Sequence, residues 1–98
     1  MRLVGGSQNR GRLEVIHDGR WGTVCDDDFS NADAAVFCRS MGKPYANARA
    51  IARFGGGSGP IHLDDVNCDG VQDWRFCRHR GWGVDNCNHG EDVGLHCN

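Results

Sequence analysis

The sequence is short of apolar residues, of lysine and of proline. Leu, Ile, Val and Phe fill only 19 of its 98 positions, close to the level at which chains stop folding by burial alone. The large net charge that usually accompanies such a shortage is also missing, because 13 acids against 11 bases leave −2 at neutral pH. That balance excludes a disordered polyelectrolyte, and it excludes a dedicated nucleic-acid binder, so nucleic acid is expected only as a generic polyanion. No apolar run approaches membrane-spanning length, and the N-terminus lacks a signal-peptide pattern. The chain is therefore expected to be a mature or excised domain with no membrane insertion of its own. Ninety-eight residues allow one domain, residues 1–98, without a separate catalytic unit. Two prolines beside fifteen glycines of no fixed period describe a loop-rich scaffold rather than a bundle or a collagen-like rod. So weak a core calls for covalent staples.

The six cysteines can supply them. Cys25, Cys38, Cys68, Cys77, Cys87 and Cys97 are even in number, and at least eight residues separate any two neighbours. No C-x-x-C pair exists to form a zinc knuckle, so the spacing favours disulfides and hence an oxidising, extracellular compartment. Spacing alone leaves the connectivity open. Among the charged residues, ten of the eleven bases are Arg, with Lys43 the exception, and eleven of the thirteen acids are Asp. Arg offers a planar fork for carboxylate, sulfate or phosphate, while Asp favours turns and hard-cation sites.

Two strand-like runs, Arg12 to His17 and Arg20 to Val24, flank Asp18-Gly19 and predict a β-hairpin. Ser30 caps a helix expected over about 30–41, with Asp33 at the capping-box position and Ala34, Phe37, Cys38 and Met41 as its buried stripe. Gly42 followed by Lys43-Pro44 ends it. Cys38 is then expected to staple the helix to the sheet. Ala46 to Phe54 alternates weakly and reads as a strand, although its alanines also suit a helix. Gly55 to Pro60 is a loop without the Gly-Lys-Ser/Thr ending of a phosphate-binding loop. Ile61 to Val66 and Val93 to His96 read as short strands.

Three acidic groups stand out: Asp26-Asp27-Asp28 after Cys25, Asp64-Asp65 at a strand end, and Glu91-Asp92 before the last cysteine. Adjacent carboxylates repel unless a cation or an arginine offsets them. Convergence of the three groups would build an oxygen cage for Ca²⁺ or Mg²⁺ without EF-hand spacing. The five histidines lack zinc-ligand spacing and no serine sits in a nucleophile elbow, so no enzyme is expected. Arg75, Arg78, His79 and Arg80, beside Trp74 and Trp82, form the one basic concentration. Either these groups meet anionic ligands, or the arginines pair with Asp69, Asp73 and Asp85 over core tryptophans.

Nearly the whole chain resembles a scavenger receptor cysteine-rich domain. The resemblance rests on Gly11 to Val15, Trp21-Gly22-Thr23-Val24-Cys25-Asp26-Asp27, Ala34 to Arg39, Gly59-Pro60-Ile61-His62-Leu63-Asp64-Asp65-Val66 with Cys68, and Trp82-Gly83 through Cys87 to Gly94. Six cysteines are similar to the group A variant of macrophage scavenger receptors. The resemblance implies an α+β fold, a small curved antiparallel sheet cradling one main helix, with bridges Cys25–Cys87, Cys38–Cys97 and Cys68–Cys77. It implies a divalent-cation site at Asp26, Asp27 and Glu91, and a second at Asp64, Asp65 and Asn86. Phe29 replaces the usual Trp, and Asp28 adds a third acid able to take the place of Asp27. Leu13 to Ile16 with Trp21 resembles a segment implicated in bacterial binding, though its apolar members are residues the core needs. The expected function is an extracellular module that recognises polyanionic or microbial ligands through a cation bridge assisted by Arg75, Arg78 and Arg80. The alternatives are a docking module of a secreted protease or amine oxidase, and a structural spacer.

Overall fold

The computed structural model describes residues 1–98. Six strands and one helix follow in the order β1 (Arg2–Ser7), β2 (Arg10–His17), β3 (Arg20–Val24), α1 (Asn31–Ser40), β4 (Arg49–Ile51), β5 (Ile61–Leu63) and β6 (Gly94–His96). Short 3₁₀ turns occupy Trp74–Phe76 and His89–Glu91. The hairpin forms as expected, with Asp18 and Gly19 at φ +51° and +76°. Two left-handed residues match the twist of the flanking strands, and Asp and Gly tolerate that conformation best.

Strand β2 organises the sheet. One edge pairs with β1, and the other takes β6 over Arg10–Arg12 and then β3 over Glu14–His17. Val93 sits at the changeover: the Leu13 N–H donates to its carbonyl at 3.0 Å, and its own N–H donates to the Val24 carbonyl at 2.8 Å. The order is β4-β6-β2-β3-β5 with β1 outside that path. The sheet is antiparallel except at β3–β5, which runs parallel. The chain reaches β5 through α1 and a long crossover rather than a tight turn, and such a connection permits parallel pairing.

The fold is α+β with a curled sheet against a single helix. Leu13, Val15, Val24, Phe37, Val93 and Leu95 are fully buried between them. Helix α1 begins where the Ser30 hydroxyl accepts the Asp33 N–H at 3.1 Å and the Asp33 carboxylate accepts the Ser30 N–H at 2.8 Å. It ends in a Schellman arrangement: Gly42, at φ +71°, donates to Arg39 and Lys43 donates to Cys38, each at 3.0 Å. Ala34, Phe37 and Cys38 are buried as the stripe requires, while Met41, the C-cap just past the last helical residue, is only half-buried. Disulfides join Cys25 to Cys87, Cys38 to Cys97 and Cys68 to Cys77, leaving no free thiol. By chain entropy the two long closures each stabilise the fold by about 4 kcal/mol and the short one by about 2.5 kcal/mol. Bonds of this kind persist in oxidising compartments, and the chain is extracellular.

Several elements are shorter than the sequence suggests. The strand expected over Ala46 to Phe54 is confined to Arg49–Ile51, because β6 offers only three residues to pair with. The chain then turns at Arg53, φ +54°, whose N–H donates to the Asp26 carboxylate at 2.7 Å. Strand β5 stops at Leu63, and Asp65, at φ +52°, breaks the extension expected to Val66. Strand β1 escapes pattern reading because Gly5-Gly6 erases its alternation.

The Gly55–Pro60 loop is clasped to the C-terminal turn. The fully buried Asp92 carboxylate accepts the Gly57 N–H at 2.9 Å and His89 Nδ1 at 3.1 Å, while His89 Nε2 donates to the Gly59 carbonyl at 2.9 Å. A side chain at Gly57 would strike Asp92 and Thr23. Both partners of His89 are acceptors, so the ring serves them best as an imidazolium. Partial burial opposes that charge and Arg12 repels it, but the Gly59 carbonyl and Asp92 outweigh them and raise the His89 pKa.

Two predictions follow from these contacts. Asp33 also accepts the Cys68 N–H at 2.8 Å, so Asp33→Ala removes a helix cap and strands a buried donor. The expected loss is about 2–4 kcal/mol, read from the urea midpoint at unchanged m-value. For His89 the raised folded pKa means its stabilisation is in full force below about pH 6.5 and fades as pH climbs through the folded value. The drop in melting temperature on His89→Gln should be larger near pH 5.5 than near pH 9, and an equal drop would deny the charged clasp.

Candidate functional site

Asp26 and Asp27 leave the end of β3 directly after Cys25, which is disulfide-bonded to Cys87 and bridged to Asp92 across the ladder. The Asp26 N–H donates to the Glu91 carbonyl at 2.8 Å, drawing the two segments together. Glu91 ends a 3₁₀ turn capped by Asn88, whose side chain accepts the Gly90 N–H at 2.8 Å. Backbone contacts thus aim carboxylates from three chain positions at one point. Oxygens of Asp26, Asp27 and Glu91 lie within 4.8 Å of one another.

That spacing is about twice a Ca²⁺–oxygen bond, short enough for one hard cation to bridge. No Lys, Arg or His forms an ion pair with any of the three. The neighbouring sulfurs of Cys25 and Cys87 are tied up as a disulfide and carry no thiolate charge. Asp27 also lies within 4.8 Å of Asp64, which makes it the middle of a longer acidic strip. Its pKa is raised, by lost hydration first and then by the negative charges of Asp64, Glu91, Asp26 and Asp65. The donor set and the uncompensated repulsion both fit a divalent cation. Asp28, exposed and turned aside at φ +58°, stands outside the cluster, so Asp27 fills the place between Asp26 and Asp64. Phe29 is buried, its ring centroid 5.4 Å from that of Phe37.

The second group, Asp64, Asp65 and Asn86, is also brought together, but around an arginine. Asp64 is fully buried; one oxygen accepts the Asp65 N–H at 2.8 Å, and the other faces the Asn86 N–H at 3.3 Å and the Arg80 guanidinium at 3.4 Å. Arg80 also stands 3.8 Å from Asp65. With its amide nitrogen turned inward, Asn86 donates to Asp27 and Asp64 at 3.1 Å each. A cation here must displace Arg80 and reverse that amide.

The arginines divide similarly. Arg75 grips Asp73 with both arms, at 3.1 and 2.8 Å, which lowers the Asp73 pKa to about 2 and raises that of Arg75. Arg80 is engaged as described, and Arg78 is exposed without an ion pair. The pairing of Arg75 with Asp73 is thus the contact anticipated as the alternative to anion binding. Another basic group went unread in the sequence: Arg10 lies opposite His96, and His96 opposite Arg49, in a row across β2, β6 and β4. All three are exposed and none pairs with a carboxylate. Only the strand pairing unites positions so far apart in the chain. Leu13 and Val15 are fully buried, and Arg2 covers Trp21 at 4.0 Å, so those positions of the segment resembling a bacterial-binding one are committed to structure.

Comparison with known proteins identifies the family of this fold. The family profile of the scavenger receptor cysteine-rich domain matches residues 3–98. The macrophage receptor MARCO of Mesocricetus auratus is 52% identical over 99 residues, covering 99% of this chain and 20% of that protein. Lysyl oxidase homolog 4 of Bos taurus is 50% identical over 102 residues, covering 100% of this chain and 14% of that protein. The chain spans a fifth or less of the length of these curated relatives. Among solved structures, the dimeric form of the SRCR domain of mouse MARCO superposes with TM-score 0.86 at 47% identity, covering 100% of this chain and 94% of that one. The third SRCR domain of murine neurotrypsin gives TM-score 0.86 at 43% identity, covering 98% and 92%. The chain belongs to the scavenger receptor cysteine-rich domain family.

Proposed function

We propose that this domain is a non-enzymatic extracellular recognition module that binds polyanionic or microbial surface ligands through a divalent cation. The observation that carries this reading is the convergence of Asp26, Asp27 and Glu91 within 4.8 Å on backbone fixed by a disulfide, with no basic side chain to balance them. Ca²⁺ is the expected ion, with Mg²⁺ the alternative. Ca²⁺ takes six to eight oxygen ligands, so three carboxylates leave positions that sulfate, phosphate or carboxylate oxygens of a ligand complete. The exposed row Arg10, His96 and Arg49 then adds charge-assisted contacts from the sheet. Asp64, Asp65 and Asn86 form a lesser site, which opens only when Arg80 moves away.

A second reading draws on the likeness to lysyl oxidase homolog 4. In a longer chain of that kind the same module docks a partner or substrate beside a catalytic domain, and its own residues take no part in chemistry.

The test is binding to immobilised dextran sulfate in about 1 mM calcium, the range of extracellular calcium modules. Chelator should weaken binding at least tenfold, and Asp26→Ala with Glu91→Ala should do the same while leaving the unfolding transition of the metal-free domain in place. Binding indifferent to chelator would remove the cation bridge. Separately, Arg10→Glu with Arg49→Glu should weaken binding and flatten its salt dependence without altering calcium uptake.

A further inference from the structure

The bridge that fixes the acidic cluster is also the one most open to attack. Cys87 is the single cysteine that is not buried; Cys25 and the four cysteines of the other two bridges are all buried. By access alone, Cys25–Cys87 is the bridge that a dissolved thiol reaches first.

Charge acts the other way. An oxygen of Asp27 stands 3.5 Å from the Cys87 sulfur. Oxygens of Asp27 and Asp64 lie within 4.8 Å of both sulfurs, and those of Asp26 and Glu91 within 4.8 Å of the Cys25 sulfur. A disulfide sulfur has no proton to offer them. Of these carboxylates only Asp64 has a basic partner, Arg80 at 3.4 Å.

Reduction begins when a thiolate attacks one sulfur of the bridge. Access directs it to Cys87: the new bond joins the incoming sulfur to Cys87 Sγ, the S–S bond breaks, and its electron pair leaves on Cys25. A second thiolate then displaces Cys87 from the mixed disulfide. Two small thiols end as their own disulfide, and the two cysteines end reduced. The carboxylates oppose both ends of the first step. The incoming charge meets Asp27 and Asp64, and the outgoing charge forms on fully buried Cys25 beside Asp26, Asp27, Asp64 and Glu91. A sulfur that accommodates negative charge so poorly is a poor leaving group.

We propose that the acidic cluster has a second function, as an electrostatic guard that shuts anionic thiols out of the Cys25–Cys87 bridge and leaves it reducible by cationic ones. The guard needs no bound cation, so it shares residues with the proposed cation site without resting on that reading.

The experiment follows reduction of the intact domain in chelator with cysteamine, 2-mercaptoethanol and 2-mercaptoethanesulfonate, whose thiolates carry no net charge, one and two negative charges. Alkylation and mass spectrometry give the rate at Cys25–Cys87, and each rate is divided by that of the same thiol on a small neutral disulfide. After this correction cysteamine should exceed mercaptoethanesulfonate at least about tenfold at low ionic strength, and salt should narrow the gap. Asp27→Asn with Glu91→Gln should close most of the gap. Asp18→Asn, which removes a charge in the hairpin turn at the far end of β3 from Cys25, should leave it in place. Loosening of the fold speeds all three thiols alike, so their ratio separates guarding from destabilisation. Equal corrected rates on the unaltered domain, or a gap that the double substitution leaves intact, overturns the proposal. Dependence on chelator is read in the dextran sulfate assay alone, so the guard and the cation bridge can fail separately.

Discussion

The disulfide between Cys25 and Cys87 is the constraint on which the rest of the site depends. It closes a separation of 62 residues and fixes the end of β3 against the C-terminal turn. The Asp26–Glu91 backbone bond and the Cys25–Asp92 bridge lie in the same seam. Without the covalent link, the repulsion among Asp26, Asp27, Glu91 and Asp64 would favour spreading these segments apart. With it, spreading costs broken backbone pairing, so the repulsion stays in the folded state. A weakly apolar chain thereby keeps an unbalanced acidic cluster without unfolding, because the three bridges remove chain entropy that its small core cannot offset alone.

The net charge of −2 conceals a sorting of charges in space. Acids gather where β3 and the C-terminal turn meet, and Arg10 and Arg49 flank His96 on the sheet. Other arginines are structural: Arg2 and Arg12 both bind the nearly buried Glu14, and Arg12 also reaches the Gly55 carbonyl. Arg80 illustrates the intermediate case, supplying by a side chain the positive charge that Asp64 and Asp65 need. The first acidic group has no such internal partner, and this difference separates a candidate ion site from a self-neutralised one.

Local chemistry explains what the sequence revealed and what it hid. The hairpin at Asp18-Gly19 and the helix from Ser30 to Gly42 were legible because their signals lie within a few adjacent residues. Convergence of the acidic groups could be posed from their composition, but the particular set Asp26, Asp27 and Glu91 came through family resemblance, since their meeting depends on contacts more than sixty residues apart in the chain. The row Arg10, His96 and Arg49 needed the register of three strands, and β4 and β6 are too short to announce it. The clasp of His89 on Asp92 and Gly59 also lay beyond pattern reading, because a glycine loop gives no hint of what grips it.

On the reading proposed above, the disulfide holds Asp26, Asp27 and Glu91 in place as a cation site. The most direct measurement is calorimetric titration of the intact domain with calcium, near pH 7.5 and again near pH 5. Because lost hydration and the neighbouring negative charges raise the Asp27 pKa, proton and cation compete there. Saturable binding is expected at the higher pH and weaker binding at the lower, with proton release on binding growing as the pH falls. Absence of saturable calcium or magnesium binding at millimolar concentration near pH 7.5 would contradict it.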